Sequence, residues 1–137
     1  MMNGKVELLE GVSFRLTSGS GHATTSDGPA EEGGKNAGMR PMEMVLLGMG
    51  GCTAFDVAQI LRKRRRKPEL LEVDLQAERA QEVPKVFTQI HLHYRIKGEG
   101  ITEAEVKRAI TLSLEKYCSA TRMLAETAEI SFDFQVL

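Results

Sequence analysis

The feature that most constrains the fold is a long apolar stretch between two prolines, PMEMVLLGMGGCTAFDVAQILRKRRRK over residues 41–67. Pro41 suits the first position of a helix, because a backbone N–H has no partner to lose there. Glu43 then lies in the first turn, where the helix dipole favours a negative charge. Because the residue before a proline is pushed out of the helical region, the helix should end at about Arg66, before Pro68.

The first half of this helix is apolar on every side, which predicts that it is buried all round. Glycines at positions 48, 50 and 51 each cost about 0.8–1 kcal/mol relative to alanine in a helix interior. A cost of that size predicts the close approach of another backbone, such as a second helix. The apolar residues concerned are Met42, Met44, Val45, Leu46, Leu47 and Met49.

The rest of the chain alternates between strand and helix patterns. Thr102 and Glu105 form a capping box that opens a second helix. Residues 27–39 are rich in Gly, Pro, Asn and Asp and predict a loop. The expected elements are two strands over 5–17 with a turn at Gly11, a third over 18–26, an antiparallel strand hairpin over 71–78 and 86–98, helices over 102–117 and 120–127, and a strand over 130–136. This order predicts a single α+β domain over residues 1–137, with antiparallel strands packed against the central helix.

Composition argues against a nucleic-acid or membrane partner. The formal net charge is −1, aromatic residues make up 5% of the chain, and there is no Trp, so a base-stacking surface is not expected. We interpret the basic run at 62–67 as solvated cations that complement a helix C-terminus, with a nucleic-acid patch as the weaker alternative. No apolar run reaches about 18 residues and MMNGKVELLE does not resemble a signal peptide. We therefore expect a cytoplasmic protein.

The two cysteines, Cys52 and Cys118, are far apart in the chain and form no CxxC motif. Either they are unrelated core residues, since free cysteine is often buried, or they form a transient catalytic or redox-sensing disulfide. His91 and His93 share one strand face, whereas a zinc site needs three or four ligands and His22 is remote. We expect no metal and no cofactor.

Two motifs resemble the OsmC/Ohr family, and in particular its YhfA-like branch. They are the cysteine-bearing helix at 41–56 (PMEMVLLGMGGCTAFD) and the segment at 115–124 (EKYCSATRML), with a strand hairpin between them. The resemblance implies an OsmC-like α+β fold, in which strongly curved antiparallel sheets surround a long central helix. It also implies an intertwined homodimer whose cysteine-bearing helices pack against each other.

By the same resemblance, the protein is a peroxidase that reduces organic hydroperoxides in the oxidative stress response. Cys52 takes the role of the peroxidatic nucleophile and Cys118 that of the resolving cysteine. A thiolate attacks the peroxide and becomes a sulfenic acid, which a second thiol converts to a disulfide. An external dithiol then reduces the disulfide by exchange.

Activation of the thiol requires a cation or a hydrogen-bond donor, because burial alone raises a cysteine pKa. The family uses an arginine held by a glutamate, but Met42 stands where the glutamate is usual, and Glu43 comes one residue later. An ideal helix places Glu43 about 180° from Cys52. The candidate cations are Arg15, His22, Arg40 and Arg122, of which we assign Arg15 to the site.

Asp56 lies four residues after Cys52 and so shares its helix face. It can orient an activating arginine, or it can pair across the dimer or reach solvent. The departure at Met42 also supports a second hypothesis, a binding or carrier protein for an apolar or thiol-containing small molecule on the same scaffold.

Overall fold

The computed structural model describes residues 1–137, which form two compact units, Met1–Val45 and Leu46–Leu137. Its strands are β1 (Gly4–Glu10), β2 (Ser13–Ser18), β3 (Ala23–Ser26), β4 (Leu70–Arg79), β5 (Phe87–Lys97) and β6 (Glu129–Val136). Its α-helices are α1 (Pro41–Lys63), α2 (Glu103–Leu112) and α3 (Ser119–Leu124). Helix α1 contributes to both units. The prediction of one domain over 1–137 stays a prediction.

The first unit contains an antiparallel sheet in the order β1-β2-β3, which confirms the three predicted strands. Gly11 has a φ of 57° in the turn between β1 and β2, a conformation that glycine adopts without steric penalty. The predicted loop follows β3 and is organised by Asp27, whose carboxylate accepts the N–H groups of Gly28, Lys35 and Ala37. The Ser13 hydroxyl and these N–H groups hold the pKa of Asp27 well below its usual range.

Helix α1 begins at Pro41, as predicted, and ends at Lys63, slightly before the predicted end. Its buried residues recur mostly at four-residue spacing, which marks one stripe rather than a full circumference; they are Met49, Gly50, Thr53, Val57 and Leu61. The prediction of burial all round is therefore wrong for the single chain: Leu47 is 50% exposed and Phe55 is 66% exposed.

The three helix glycines have different surroundings. A Cβ at Gly50 would lie 2.7 Å from Leu75 Cδ1, so one glycine does permit a close approach, although to a side chain. A Cβ at Gly48 or Gly51 would meet nothing within 4 Å. Within the chain, the close approach at Gly50 is therefore by a side chain and not, as predicted, by another backbone.

Helix α1 is long and apolar enough to cross a membrane by length and composition, and 28% of its most apolar window is buried. The expectation that no stretch would meet this criterion was wrong. The core helix of a soluble protein meets the same criterion, so one such helix is weak evidence for a membrane span.

The second unit contains a sheet in the order β4-β5-β6. Strands β4 and β5 pair antiparallel, as predicted, but β5 and β6 pair parallel. The prediction of purely antiparallel strands is therefore wrong at β6. A parallel pair needs a crossover connection, which the helical segment between β5 and β6 supplies. One face of β5 is buried through Ile90, Leu92, Tyr94 and Ile96, which confirms the predicted core face.

The helical segment between β5 and β6 has three parts. The predicted capping box is present at the start of α2, where the side chain and N–H of Thr102 exchange hydrogen bonds with Glu105. Glu105 also binds Arg66 at 3.1 Å, so the basic run is partly paired. Helix α2 ends at Leu112 and is followed by a π-helical turn, Ser113–Tyr117. Cys118 then caps α3, which begins at Ser119, one residue before its predicted start.

Candidate active site

Two cysteines and an aspartate meet in the second unit. The Sγ atoms of Cys52 and Cys118 and a carboxylate oxygen of Asp56 all lie within 4.8 Å of one another. Cys52 and Asp56 are one helical turn apart on α1, so they face the same way, as predicted. Cys118 comes from the junction between the π-helical turn and α3, so tertiary packing alone brings it to the pair.

The two thiols are free and differ in accessibility. Cys118 is 3% exposed, whereas Cys52 is half-buried. Burial raises the pKa of the Cys118 thiol, and the neighbouring Cys52 adds to this rise. Cys118 is therefore a protonated, shielded thiol at neutral pH, and Cys52 is the thiol that a solute can reach.

Thr121 opposes the effect of burial on Cys118. Its backbone N–H donates to Cys118 Sγ at 3.4 Å, and both this N–H and the Thr121 side chain lower the pKa of the thiol. The hydroxyl of Thr121 is buried and has no hydrogen-bond partner of normal geometry. This arrangement favours the Cys118 thiolate when it forms, because a hydrogen bond to the charged form stabilises it.

A chain of buried hydroxyl groups ends on Asp56. Ser113 Oγ donates to Asp56 Oδ2 at 2.9 Å, Thr53 Oγ1 lies 2.7 Å from Ser113 Oγ, and Tyr94 Oη lies 2.8 Å from Thr53 Oγ1. Each hydroxyl carries one proton, so the carboxylate sets the direction: Tyr94 donates to Thr53, Thr53 to Ser113, and Ser113 to Asp56. Burial raises the pKa of Tyr94 to about 12, which keeps its proton in place.

Tyr94, Thr53 and Ser113 were not predicted from the sequence as parts of the site. One signal was available: Tyr94 lies on the apolar face of the predicted strand, and a buried tyrosine hydroxyl usually needs a partner. Nothing in the sequence pattern identified Thr53 or Ser113 as that partner, because they come from two helical segments far apart in the chain.

The predicted activating residues are placed as follows. Glu43 is exposed in the first turn of α1, where its carboxylate accepts the N–H of Arg40 at 2.8 Å, as a helix cap does. Arg15 is exposed on β2, opposite Glu7 and Thr25. Both residues lie in the first unit, and their participation in catalysis stays a prediction.

Two clefts border the site. The first, of about 310 Å³, includes Cys118 together with the cationic side chains of Lys116 and Arg122. The second, of about 520 Å³, includes Asp56. Its other lining residues combine apolar groups and cations: Phe55, Gln59, Ile60, Lys63, Arg64, Arg108, Leu112 and Tyr117. Tyr117 lines both clefts.

The two strand histidines lie away from these groups, on the polar face of the sheet. Asp133 Oδ1 is 2.9 Å from His91 Nε2 and 2.8 Å from His93 Nδ1. The hydrogen bond to Asp133 raises the pKa of His93. They therefore form a cluster with a carboxylate on β6, which the sequence analysis did not anticipate.

Comparison with known proteins gave three informative matches. The sequence matches the profile of the family described as OsmC-like protein over residues 33–133. It is 40% identical to Protein YhfA of Escherichia coli strain K12 over 136 residues, covering 99% of this chain and 98% of that protein. It superposes with a TM-score of 0.83 on the crystal structure of a hypothetical protein from Aquifex aeolicus VF5, at 27% identity, covering 100% and 98% of the two chains.

A more distant structural relative carries a functional name. The crystal structure of an organic hydroperoxide resistance protein from Elizabethkingia anophelis superposes with a TM-score of 0.73 at 16% identity, covering 100% of this chain and 96% of the other. At this level of identity the match shows a shared fold.

Proposed function

The chain belongs to the OsmC-like family, and from that premise we propose that it is a cysteine-based peroxidase that reduces organic hydroperoxides. The name of the Elizabethkingia relative supports this reaction class. The observation that carries the proposal is the meeting of two free thiols from distant parts of the chain within 4.8 Å. A disulfide needs its sulfurs about 2 Å apart, so the bond can form with a shift of at most about 3 Å.

The roles of the two thiols follow from their exposure. The half-buried Cys52 is the more accessible of the two to a dissolved peroxide, and the buried Cys118 is the less accessible. The Cys52 thiolate attacks the distal oxygen of the hydroperoxide, the O–O bond breaks, and the leaving alkoxide takes up a proton to become the alcohol. Cys52 is left as a sulfenic acid.

The second step forms the disulfide. The Cys118 thiolate attacks the Cys52 sulfur, a disulfide bond forms, and hydroxide leaves and takes up the Cys118 proton as water. Thr121 stabilises the attacking thiolate through its N–H and hydroxyl groups. An external dithiol then attacks the disulfide, is itself oxidised to a disulfide, and restores both cysteines.

The cleft beside Asp56 suits the organic part of the substrate. Phe55, Ile60 and Leu112 offer apolar surface, while Arg64 and Arg108 offer cations within the same cleft. An apolar lining favours a bulky hydroperoxide over hydrogen peroxide, because burial of its organic group adds binding energy.

We propose a homodimer in the cytoplasm as the working form. Leu47 and Phe55 are large exposed apolar residues on α1, and Gly48 and Gly51 leave open space beside them. A second copy of the same helix would bury this surface, and glycines allow two helix backbones to approach closely.

The test is to add one equivalent of cumene hydroperoxide to the reduced protein and to follow thiol loss and disulfide mass by stopped flow and mass spectrometry. We expect a rapid, stoichiometric Cys52–Cys118 disulfide and slower oxidation by hydrogen peroxide. Cys118→Ser should stop at a sulfenic acid that dimedone traps, whereas Cys52→Ser should react no faster than a simple thiol. Full peroxide turnover by Cys52→Ser would refute the assignment.

A second candidate is a small-molecule binding protein on the same scaffold. It is favoured by Met42 at the usual glutamate position and by the engagement of Glu43 as a cap for Arg40. Its expected signature is tight binding of an apolar ligand that survives replacement of both cysteines by serine. Loss of that binding in the double variant would count against it.

A further inference from the structure

We propose that the reduced form of Cys52, Asp56 and Cys118 is a binding site for a zinc ion. Two thiolates and one carboxylate are three ligands of the kinds that Zn²⁺ accepts, and catalytic-type zinc sites use three protein ligands with a fourth position open. Zinc binding needs no peroxide chemistry, so this inference and the proposed peroxidase function can fail separately.

The geometry suits a tetrahedral ion. Zn–S bonds of about 2.3 Å and Zn–O bonds of about 2.0–2.2 Å place neighbouring ligand atoms about 3.5–3.8 Å apart. The three donor atoms already lie within 4.8 Å of one another, so any two of them need to approach by no more than about 1.3 Å. The half-buried Cys52 leaves one side of the group open for entry of the ion.

The hydroxyl chain supplies the support that a ligating carboxylate usually has. Ser113 donates to Asp56 Oδ2 at 2.9 Å, which leaves Oδ1 free to bind the ion. Tyr94 and Thr53 hold Ser113 in turn. Outer hydrogen bonds of this kind orient metal ligands and contribute to affinity.

Binding exchanges protons for the ion. Each thiol releases one proton as it becomes a ligand, so one Zn²⁺ displaces two protons from the cysteines while Asp56 binds as a carboxylate. A bound ion occupies, on each of the two sulfurs, the lone pair that the peroxide chemistry would use. Zinc binding and disulfide formation therefore exclude each other, and oxidation of the two cysteines should release the ion.

The experiment uses the reduced, metal-free full chain, titrated with Zn²⁺ in competition with a chromogenic chelator, and with Co²⁺ as a spectroscopic substitute. We expect one ion per chain and a thiolate-to-cobalt charge-transfer band in the near ultraviolet. Asp56→Asn replaces a charged ligand with a neutral one, and Ser113→Ala removes the hydrogen bond that orients this ligand; each should weaken binding at least about tenfold. Replacing either cysteine with serine should abolish stoichiometric binding.

Two controls make the result decisive. The double variant His91→Ala/His93→Ala removes the other cluster of metal-binding side chains and should bind zinc as the wild type does. Diamide oxidation of the wild type removes both thiolates without any substitution; it should release the ion, and reduction should restore binding. The proposal would be overturned if the oxidised protein retained the ion, or if the histidine double variant lost it. It would also be overturned if bound Co²⁺ gave no charge-transfer band, or if the protein failed to take Zn²⁺ from the chelator.

Discussion

Replacing Thr53 with valine tests the buried hydroxyl chain most directly. Thr53 is fully buried, and valine has nearly the same shape without the hydroxyl. The substitution removes the acceptor of the Tyr94 proton, which leaves a buried donor without a partner at a cost of about 1–3 kcal/mol. It also removes the hydrogen bond to Ser113, worth about 0.5–1.5 kcal/mol. We therefore expect Thr53→Val to lower the free energy of unfolding by about 2–4 kcal/mol.

Tyr94→Phe should cost less, about 0.5–1.5 kcal/mol, because Thr53 still donates to Ser113 and no donor is left unpaired. The double variant removes both members of the Tyr94–Thr53 pair, so its loss should fall short of the sum of the single losses by about 1–2 kcal/mol. This non-additivity is the result expected if Tyr94 donates its hydrogen bond to Thr53.

The assay is urea unfolding of the four proteins at one protein concentration, since association would shift the apparent stability. Thermal scans give a second readout, at about 4 °C per kcal/mol for a chain of this length. Strictly additive losses, or a larger loss for Tyr94→Phe than for Thr53→Val, would refute the direction that we assign to the hydrogen bonds.

Three further predictions concern single groups. Because the Thr121 hydroxyl lowers the pKa of the Cys118 thiol, Thr121→Val should raise the pH midpoint for alkylation of Cys118 in the reduced protein, whereas Thr121→Ser should keep the wild-type midpoint. An unchanged midpoint in Thr121→Val would show that the hydroxyl does not lower the thiol pKa. The pKa of His93 measured by NMR should lie above its usual value and should return towards that value in Asp133→Asn. The stabilisation from the His93–Asp133 pair should be fully present below about pH 6.5 and should be lost as the pH rises through the raised pKa of His93. In a monomer, Gly51→Ala should stabilise helix α1 by about 0.8–1 kcal/mol. If the α1 helices of two copies pack together as proposed, the same substitution should weaken self-association measured by light scattering. Unchanged association would argue against that contact.

Much of the secondary structure could be predicted because its signals are local. Pro41 and Pro68 bracket α1, and the capping box of Thr102 and Glu105 opens α2, through contacts within a few residues of the chain. The alternation in β5 identified its buried face for the same reason. The error at β6 occurred because an alternating pattern is the same in parallel and antiparallel strands. Only the helical crossover before β6 makes its pairing with β5 parallel.

The end of α2 shows the same limit. The apolar spacing continues to Tyr117, so the pattern predicts an uninterrupted helix, yet the backbone widens into a π-helical turn at Ser113. That turn lets the N–H of Cys118 bond to the Ser113 carbonyl at 2.7 Å. A π-helical turn at a functional site is a recurrent feature, but helical periodicity does not reveal it.

For the site, the sequence by itself determined which residues could do chemistry and which of them share a helix face. Cys52 and Asp56 are one turn apart on α1, and this follows from helix geometry alone. The tertiary structure decided the rest: that Cys118 reaches them, and that Tyr94 and Ser113 join Thr53 in the hydroxyl chain that supports Asp56. These contacts join residues far apart in the chain, and their closeness depends on how helices and strands pack, which no local pattern of residues encodes.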